Sequence, residues 1–105
     1  MSAIASDPIV ELANAFRKAK VLLSAVELDV FSALAAKPLT AEALRQKIGI
    51  HDRGARDFFD ALVALKLLVR HASGRYANAQ SAEHFLVPGR PSYIGGLLNH
   101  MNHRE

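Results

Sequence analysis

The segment from Leu39 to Ala77 leaves the chain few folds to choose from. Thr40 stands where a helix N-cap would, and Glu42 follows in the first turn, where the positive end of a helix dipole favours a carboxylate. Ala43, Leu44 and Ile48 make an apolar stripe, and Gly49 supplies the left-handed residue that ends many helices. Asp52 is placed to cap a second helix, along which Ala55, Phe58, Phe59, Leu62, Val63, Leu65 and Leu68 recur at helical spacing. Arg70 to His71 and Arg75 to Ala77 then read as two short strands around Ser73-Gly74. Two helices joined by a tight turn and followed by a hairpin are the layout of a winged helix-turn-helix.

The flanking segments add helices on both sides of that unit. Met1 to Asp7 reads as a flexible tail, with Asp7 capping and Pro8 opening a helix that runs to about Leu28. Ile9, Leu12, Ala13, Phe16, Leu23 and Val26 form one stripe on this helix; Val10, Val21, Leu22, Ala25 and Leu28 form a second. After Lys20 the segment is apolar nearly all round, more than one small domain can cover by itself, so its excess surface calls for a partner chain or a further domain. Asp29 restarts a short helix with Val30, Phe31, Leu34 and Ala35 inward, and Lys37-Pro38 ends it. Ala79 to Leu86 is a short amphipathic helix, and Val87-Pro88-Gly89-Arg90-Pro91 is a turn. Ser92 is placed to cap a last helix, Tyr93 to about Met101, in which Gly95-Gly96 leaves room for another helix to approach. That helix reaches the end of the chain still patterned, so a further domain is expected behind it. The expected architecture is a mostly α winged helix-turn-helix with a small β-hairpin wing and additional N- and C-terminal helices, spanning residues 8–105 after a tail over 1–7.

A winged helix raises the question of DNA. The chain carries 13 Lys+Arg against 10 Asp+Glu, a net charge of +3. The charges sit in the wrong places for a DNA reader. Between Asp52 and Lys66, Arg53, Arg56 and Lys66 are offset by Asp52, Asp57 and Asp60, with Arg56 and Asp60 spaced as an i,i+4 pair. Phosphate contacts dominate affinity for DNA, and a neutral helix does not supply them. The same stretch has no Asn, Gln, Ser or Thr to read base edges. The basic residues Arg70, His71 and Arg75 of the wing suit a solvated surface as well as a phosphate backbone. A winged-helix transcription regulator is therefore the alternative reading, and a free-standing interaction module is a third.

Other chemistries leave little trace. There is no cysteine, which excludes thiolate metal sites and disulfides and fits a reducing cytoplasm. Met1 to Asp7 lacks the basic and apolar blocks of a signal peptide, and no apolar run approaches the roughly 20 residues of a membrane span, so a cytoplasmic location without membrane contact is expected. His100 and His103 have metal-compatible spacing without a third ligand nearby, and an exposed helix end explains them as well. His51, His71 and His84 fit solvated positions. No nucleophile elbow or carboxylate pair is present.

Six pieces in order then resemble one family. They are the run Ala19 to Phe31; Leu39-Thr40-Ala41-Glu42-Ala43-Leu44; Arg53 to Leu65; Gly74-Arg75-Tyr76; Phe85-Leu86-Val87-Pro88-Gly89; and Tyr93-Ile94-Gly95-Gly96-Leu97-Leu98. Together, from about Ile9 to Met101, they resemble the N-terminal dimerisation domain of S-adenosylmethionine-dependent O-methyltransferases of the plant-type and bacterial small-molecule class. The resemblance implies a domain that interlocks two subunits as a homodimer and does not bind nucleic acid. It implies that a C-terminal Rossmann-like domain holds S-adenosylmethionine and the catalytic residues. No Gly-x-Gly-x-Gly turn follows a strand here, so no catalytic, cofactor-binding or metal residue is assigned, and the chain by itself is expected to bind no cofactor and to catalyse nothing. Val10, Phe16, Val21, Leu22, Ala25 and Leu28 are the expected dimer interface. For Phe16 the resemblance leaves a second role, the wall of the partner's substrate pocket, beside core or interface packing.

Overall fold

The computed structural model describes residues 8–103, without the side chains of Asn99 and residues 101–103. The expected tail, its Asp7 cap and the side chains of Met101 and His103 lie outside the described residues. Pro8 opens α1, Pro8–Glu27, where its missing N–H leaves nothing unsatisfied. Asp29, with left-handed backbone (φ 62) and no side-chain cap bond, turns the chain into α2, Val30–Ala35. Then follow α3 (Ala41–Ile48), α4 (Ala55–Ala64), β1 (Leu68–Arg70), β2 (Tyr76–Asn78), α5 (Gln80–Phe85) and α6 (Gly95–His103). The two strands pair antiparallel, with Leu68, Val69 and Arg70 opposite Asn78, Ala77 and Tyr76. The fold is the expected one, mostly helical with a two-stranded wing.

Local chemistry sets the ends of α3. The Thr40 hydroxyl accepts from the Ala43 N–H at 3.1 Å, and Gly49 closes the helix at φ 75 with its N–H on the Arg45 carbonyl at 2.9 Å. The start of α4 departs from expectation. Asp52 does not cap it; the helix begins after Gly54 (φ 79) with no side-chain cap bond. Gly54 takes the N-cap position, two residues beyond Asp52, whose carboxylate stays largely exposed, and Arg45 spans the turn before it. Its guanidinium grips Glu42 at 2.6 Å, donates to the Ile50 carbonyl at 3.1 Å and stands 3.6 Å from the Asp52 carboxylate. It thus fastens the turn between the helices.

The wing also starts earlier than the residues suggested. Lys66, at φ 65, ends the α4 turn, so Leu68 enters the core from β1 rather than from the helix. Leu39 exchanges backbone hydrogen bonds with Tyr76, at 3.0 and 2.7 Å, and that bridge draws β2 one residue past its expected start. At the other end, α6 begins at Gly95 and not at Tyr93, with the Ile94 N–H held by the Phe85 carbonyl at 2.8 Å. A Cβ at Gly95 would overlap the Tyr93 ring, so its missing side chain admits that ring rather than another helix; nothing lies within 4 Å of the equivalent point on Gly96.

The core runs from the end of α1 through α2 to the wing. Ala25, Val26, Val30, Phe31, Leu34, Leu44, Phe59, Leu62, Leu68, Tyr76 and Ala82 form one buried cluster. At its centre the Phe59 ring meets Tyr76 edge-on at 5.6 Å and Phe58 at 5.9 Å. The buried Tyr76 sends its hydroxyl to the Asp60 carboxylate at 2.6 Å, and Arg70 stands 3.8 Å from the same carboxylate, 5.6 Å from the Tyr76 ring centre. Asp60 is therefore engaged with the wing instead of forming the expected pair with Arg56. Asn78 ties the other side, donating to the Phe31 carbonyl and to Glu83, both at 2.9 Å. Hydrogen bonding from Asn78, and then Arg90, holds the Glu83 carboxyl below its usual range despite some burial.

Burial first, and then the bond to Asp60, raise the Tyr76 pKa above its ordinary value of 10. The native phenol thus keeps its proton to higher pH than the unfolded one. The stability this contributes is complete below about pH 10 and declines as pH rises through the native value. Tyr76→Phe is expected to lose about 1.5–3 kcal/mol at neutral pH, the worth of a hydrogen bond to a charged group. In urea titrations the gap between wild type and variant should narrow above pH 10; a gap independent of pH contradicts this account.

Candidate interaction surface

Residues 8–20 of α1 are exposed on every side. Ile9 (75%), Leu12 (72%) and Phe16 (72%) lie at i, i+3 and i+7, a single apolar stripe in water, and Val10 is 52% exposed beside it. From Val21 onward the helix sinks into the fold: Val21, Leu22 and Leu28 are half-buried against the core. Ala25 has no exposed surface. Of the six residues expected at an interface, Val10 and Phe16 thus offer most of their surface, Val21, Leu22 and Leu28 offer some, and Ala25 offers none. Ala25 lies where α1 rests on the rest of its own chain, which is why it is already spent.

A second apolar feature lies where α1, α5 and α6 meet. Leu22, Leu67, Phe85, Leu86, Ile94 and Leu98 line an open groove of about 210 Å³ in which Ser81 is the one polar side chain. Phe85, Ile94 and the neighbouring Leu97 are 46%, 44% and 62% exposed. Sequence reasoning missed this groove. The stripe Ile9, Leu12 and Phe16 was readable from spacing, whereas the groove depends on how Leu22 and Leu67 come together with the stretch from Ser81 to Leu98.

The remaining surface carries no arrangement for chemistry. Asp52, Arg53, Arg56, Asp57 and Lys66 are exposed around α4, and with half-buried Asp60 the segment carries three cations against three carboxylates. His51, His71, His84 and His100 are exposed, and His51 Nδ1 accepts from the Arg53 N–H at 3.2 Å. Among the described residues no three His, Cys, Asp or Glu side chains come together as metal ligands, and no helix is long and apolar enough to cross a membrane. The single sheet of the described residues is the wing, which offers no strand leading into a glycine-rich turn.

Known proteins agree with this outline. The family model of the O-methyltransferase dimerisation domain matches residues 10–88. The tetracenomycin polyketide synthesis 8-O-methyl transferase of Streptomyces glaucescens is 50% identical over 88 residues, 84% of this chain and 26% of that protein. An N,N-dimethyltransferase of Streptomyces rimosus is 46% identical over 91 residues, 86% of this chain and 26% of that protein. The chain therefore spans about a quarter of the length of these curated relatives, 26% in both cases. Human N-acetylserotonin methyltransferase, solved in complex with SAM, superposes with a TM-score of 0.88 at 28% identity, over 99% of this chain and 32% of that one. These relatives are methyltransferases and not transcription regulators.

Proposed function

The chain belongs to the O-methyltransferase dimerisation-domain family, and from that membership we propose that it pairs two identical subunits of an enzyme that methylates a small molecule. The observation that carries this is the first half of α1, where Ile9, Leu12 and Phe16 form a two-turn apolar stripe that is 72–75% exposed. Exposed apolar surface of this kind marks an interaction site. The interface is built on Val10 and Phe16, with Val21, Leu22 and Leu28 at its inner edge. Phe16 is given to the interface rather than to the wall of the partner's substrate pocket, because Leu12 and Ile9 continue its stripe and a pocket wall needs no such continuation.

Residues 8–105 form the pairing module in this reading, and methyl transfer belongs to a Rossmann-like domain C-terminal to it. S-adenosylmethionine binds there, and the chain alone binds none. The whole enzyme works in the cytoplasm, in keeping with a chain that has no cysteine.

Two measurements test the proposal. Sedimentation of the 105-residue chain at tens of micromolar should give a dimer, twice the 11.4 kDa chain mass; a single monomeric species overturns the pairing. Titration with S-adenosylmethionine should give no heat, and micromolar binding contradicts the assignment of the cofactor to another domain.

A further inference from the structure

A cationic cavity lies beside the wing, and none of its lining residues belongs to α1. Lys37, Pro38, Leu39, Thr40, Ala43 and Arg75 enclose an open space of about 410 Å³. That volume falls within the roughly 300–1,000 Å³ of small-molecule clefts. We propose that this cavity binds a phosphate dianion, free or as the monoester of a small molecule, held by Lys37, Arg75 and the Thr40 hydroxyl. The site stands open whether or not two copies pair through α1.

Three observations carry the inference. The first is how two cations come to share one cavity. Leu39 and Tyr76 exchange backbone hydrogen bonds at 3.0 and 2.7 Å, an antiparallel bridge that sets Arg75 opposite Thr40, with Lys37 three residues upstream. The bridge is anchored by the buried Tyr76, so the fold itself brings these segments together. The second is charge. Among the described residues neither Lys37 nor Arg75 has an ion pair, whereas Arg45, Arg70 and Arg90 each have one. No carboxylate lines the cavity. Glu42, the acid between Thr40 and Ala43, is committed elsewhere, since both its oxygens accept hydrogen bonds from Arg45 or Gln46. A singly charged ligand would leave one of the two cations without a counter-charge; a dianion offsets both.

The third is hydrogen bonding. Thr40 Oγ1 accepts from the Ala43 N–H at 3.1 Å, which leaves its own proton free to be donated. A hydroxyl, an ammonium and a guanidinium together supply donors for the outer oxygens of a phosphate, and the guanidinium fork suits two of them at once. Pro38, Leu39 and Ala43 add apolar wall against which the carbon skeleton of a monoester can lie. No imidazole or carboxylate lines the space to serve as a base, so the site binds its ligand without acting on it.

Amide NMR of the 105-residue chain at constant ionic strength tests this, at about pH 8, where phosphate monoesters are doubly charged. Inorganic phosphate and phenyl phosphate should each shift the amides of Lys37, Thr40, Ala43 and Arg75 saturably, while chloride should not. Tighter binding of phenyl phosphate assigns the site to a monoester; equal binding assigns it to the free ion. Lys37→Gln and Arg75→Gln change exposed side chains and should each weaken binding about 2–5-fold, as exposed charge contacts do. Arg53→Gln, an exposed arginine outside the cavity, should leave the affinity unchanged. Shifts that chloride reproduces, or that survive replacement of Lys37 and Arg75 together, overturn the site. So does a short DNA duplex that shifts these amides where neither phosphate does.

Discussion

Phe59→Ala is expected to cost about 3–5 kcal/mol of stability, the range for removing a buried phenylalanine. Against the 5–15 kcal/mol typical of a whole domain, that removes a large part of the margin. The ring has no exposed surface and sits where α4, the wing and the rest of the core meet, with Tyr76 edge-on at 5.6 Å. Its loss opens a cavity that backbone on three sides cannot close. It also frees the Tyr76 ring, whose hydroxyl positions the Asp60 carboxylate, so the wing loosens with the core. Phe58→Ala is the matched control: its ring is half-buried at the edge of the same cluster and should cost distinctly less. Urea unfolding at one fixed protein concentration measures both, since pairing makes apparent stability depend on concentration. A Phe59→Ala loss below about 1 kcal/mol would contradict the central place given to this ring.

What was legible in the sequence follows how local each determinant is. Thr40 and Gly49 were readable because a cap and a left-handed terminus depend on residues three or four away. Asp52 had the same chemistry and did not cap, because the left-handed turn at Gly54 starts the helix two residues later. Asp60 pointed to Arg56 by spacing, but the Tyr76 hydroxyl, sixteen residues on, takes its carboxylate. The limits of β2 were set by its bridge to Leu39, a contact that no periodicity announces. At the interaction surface the stripe of Leu12 and Phe16 was visible as helical spacing, while Ala25, on the same helix, proved to be core. Spacing identifies the face of a helix; which of its turns are covered depends on the elements that pack against it.

Phe16→Glu should separate these roles, because it acts on pairing and leaves the fold alone. Phe16 is 72% exposed on a stretch of α1 whose every residue is exposed, so within one chain the change is a surface substitution worth no more than about 0.5 kcal/mol. Glutamate is also a good helix former, so α1 should persist. In a pair, the same position loses a buried aromatic anchor and gains a carboxylate that must be stripped of water against an apolar seat. Hot-spot losses exceed about 2 kcal/mol, and the buried charge adds to them, so a dimer dissociation constant at least ~100-fold weaker is expected, at about 1.4 kcal/mol per tenfold. Ser73→Glu supplies the comparison: it places the same charge on the exposed turn of the wing, away from α1, and should leave the dissociation constant within a few-fold of wild type. Sedimentation equilibrium gives both constants, and far-UV circular dichroism checks that each variant keeps its helices. If Phe16→Glu dimerises as tightly as Ser73→Glu, the first half of α1 is not where two copies meet.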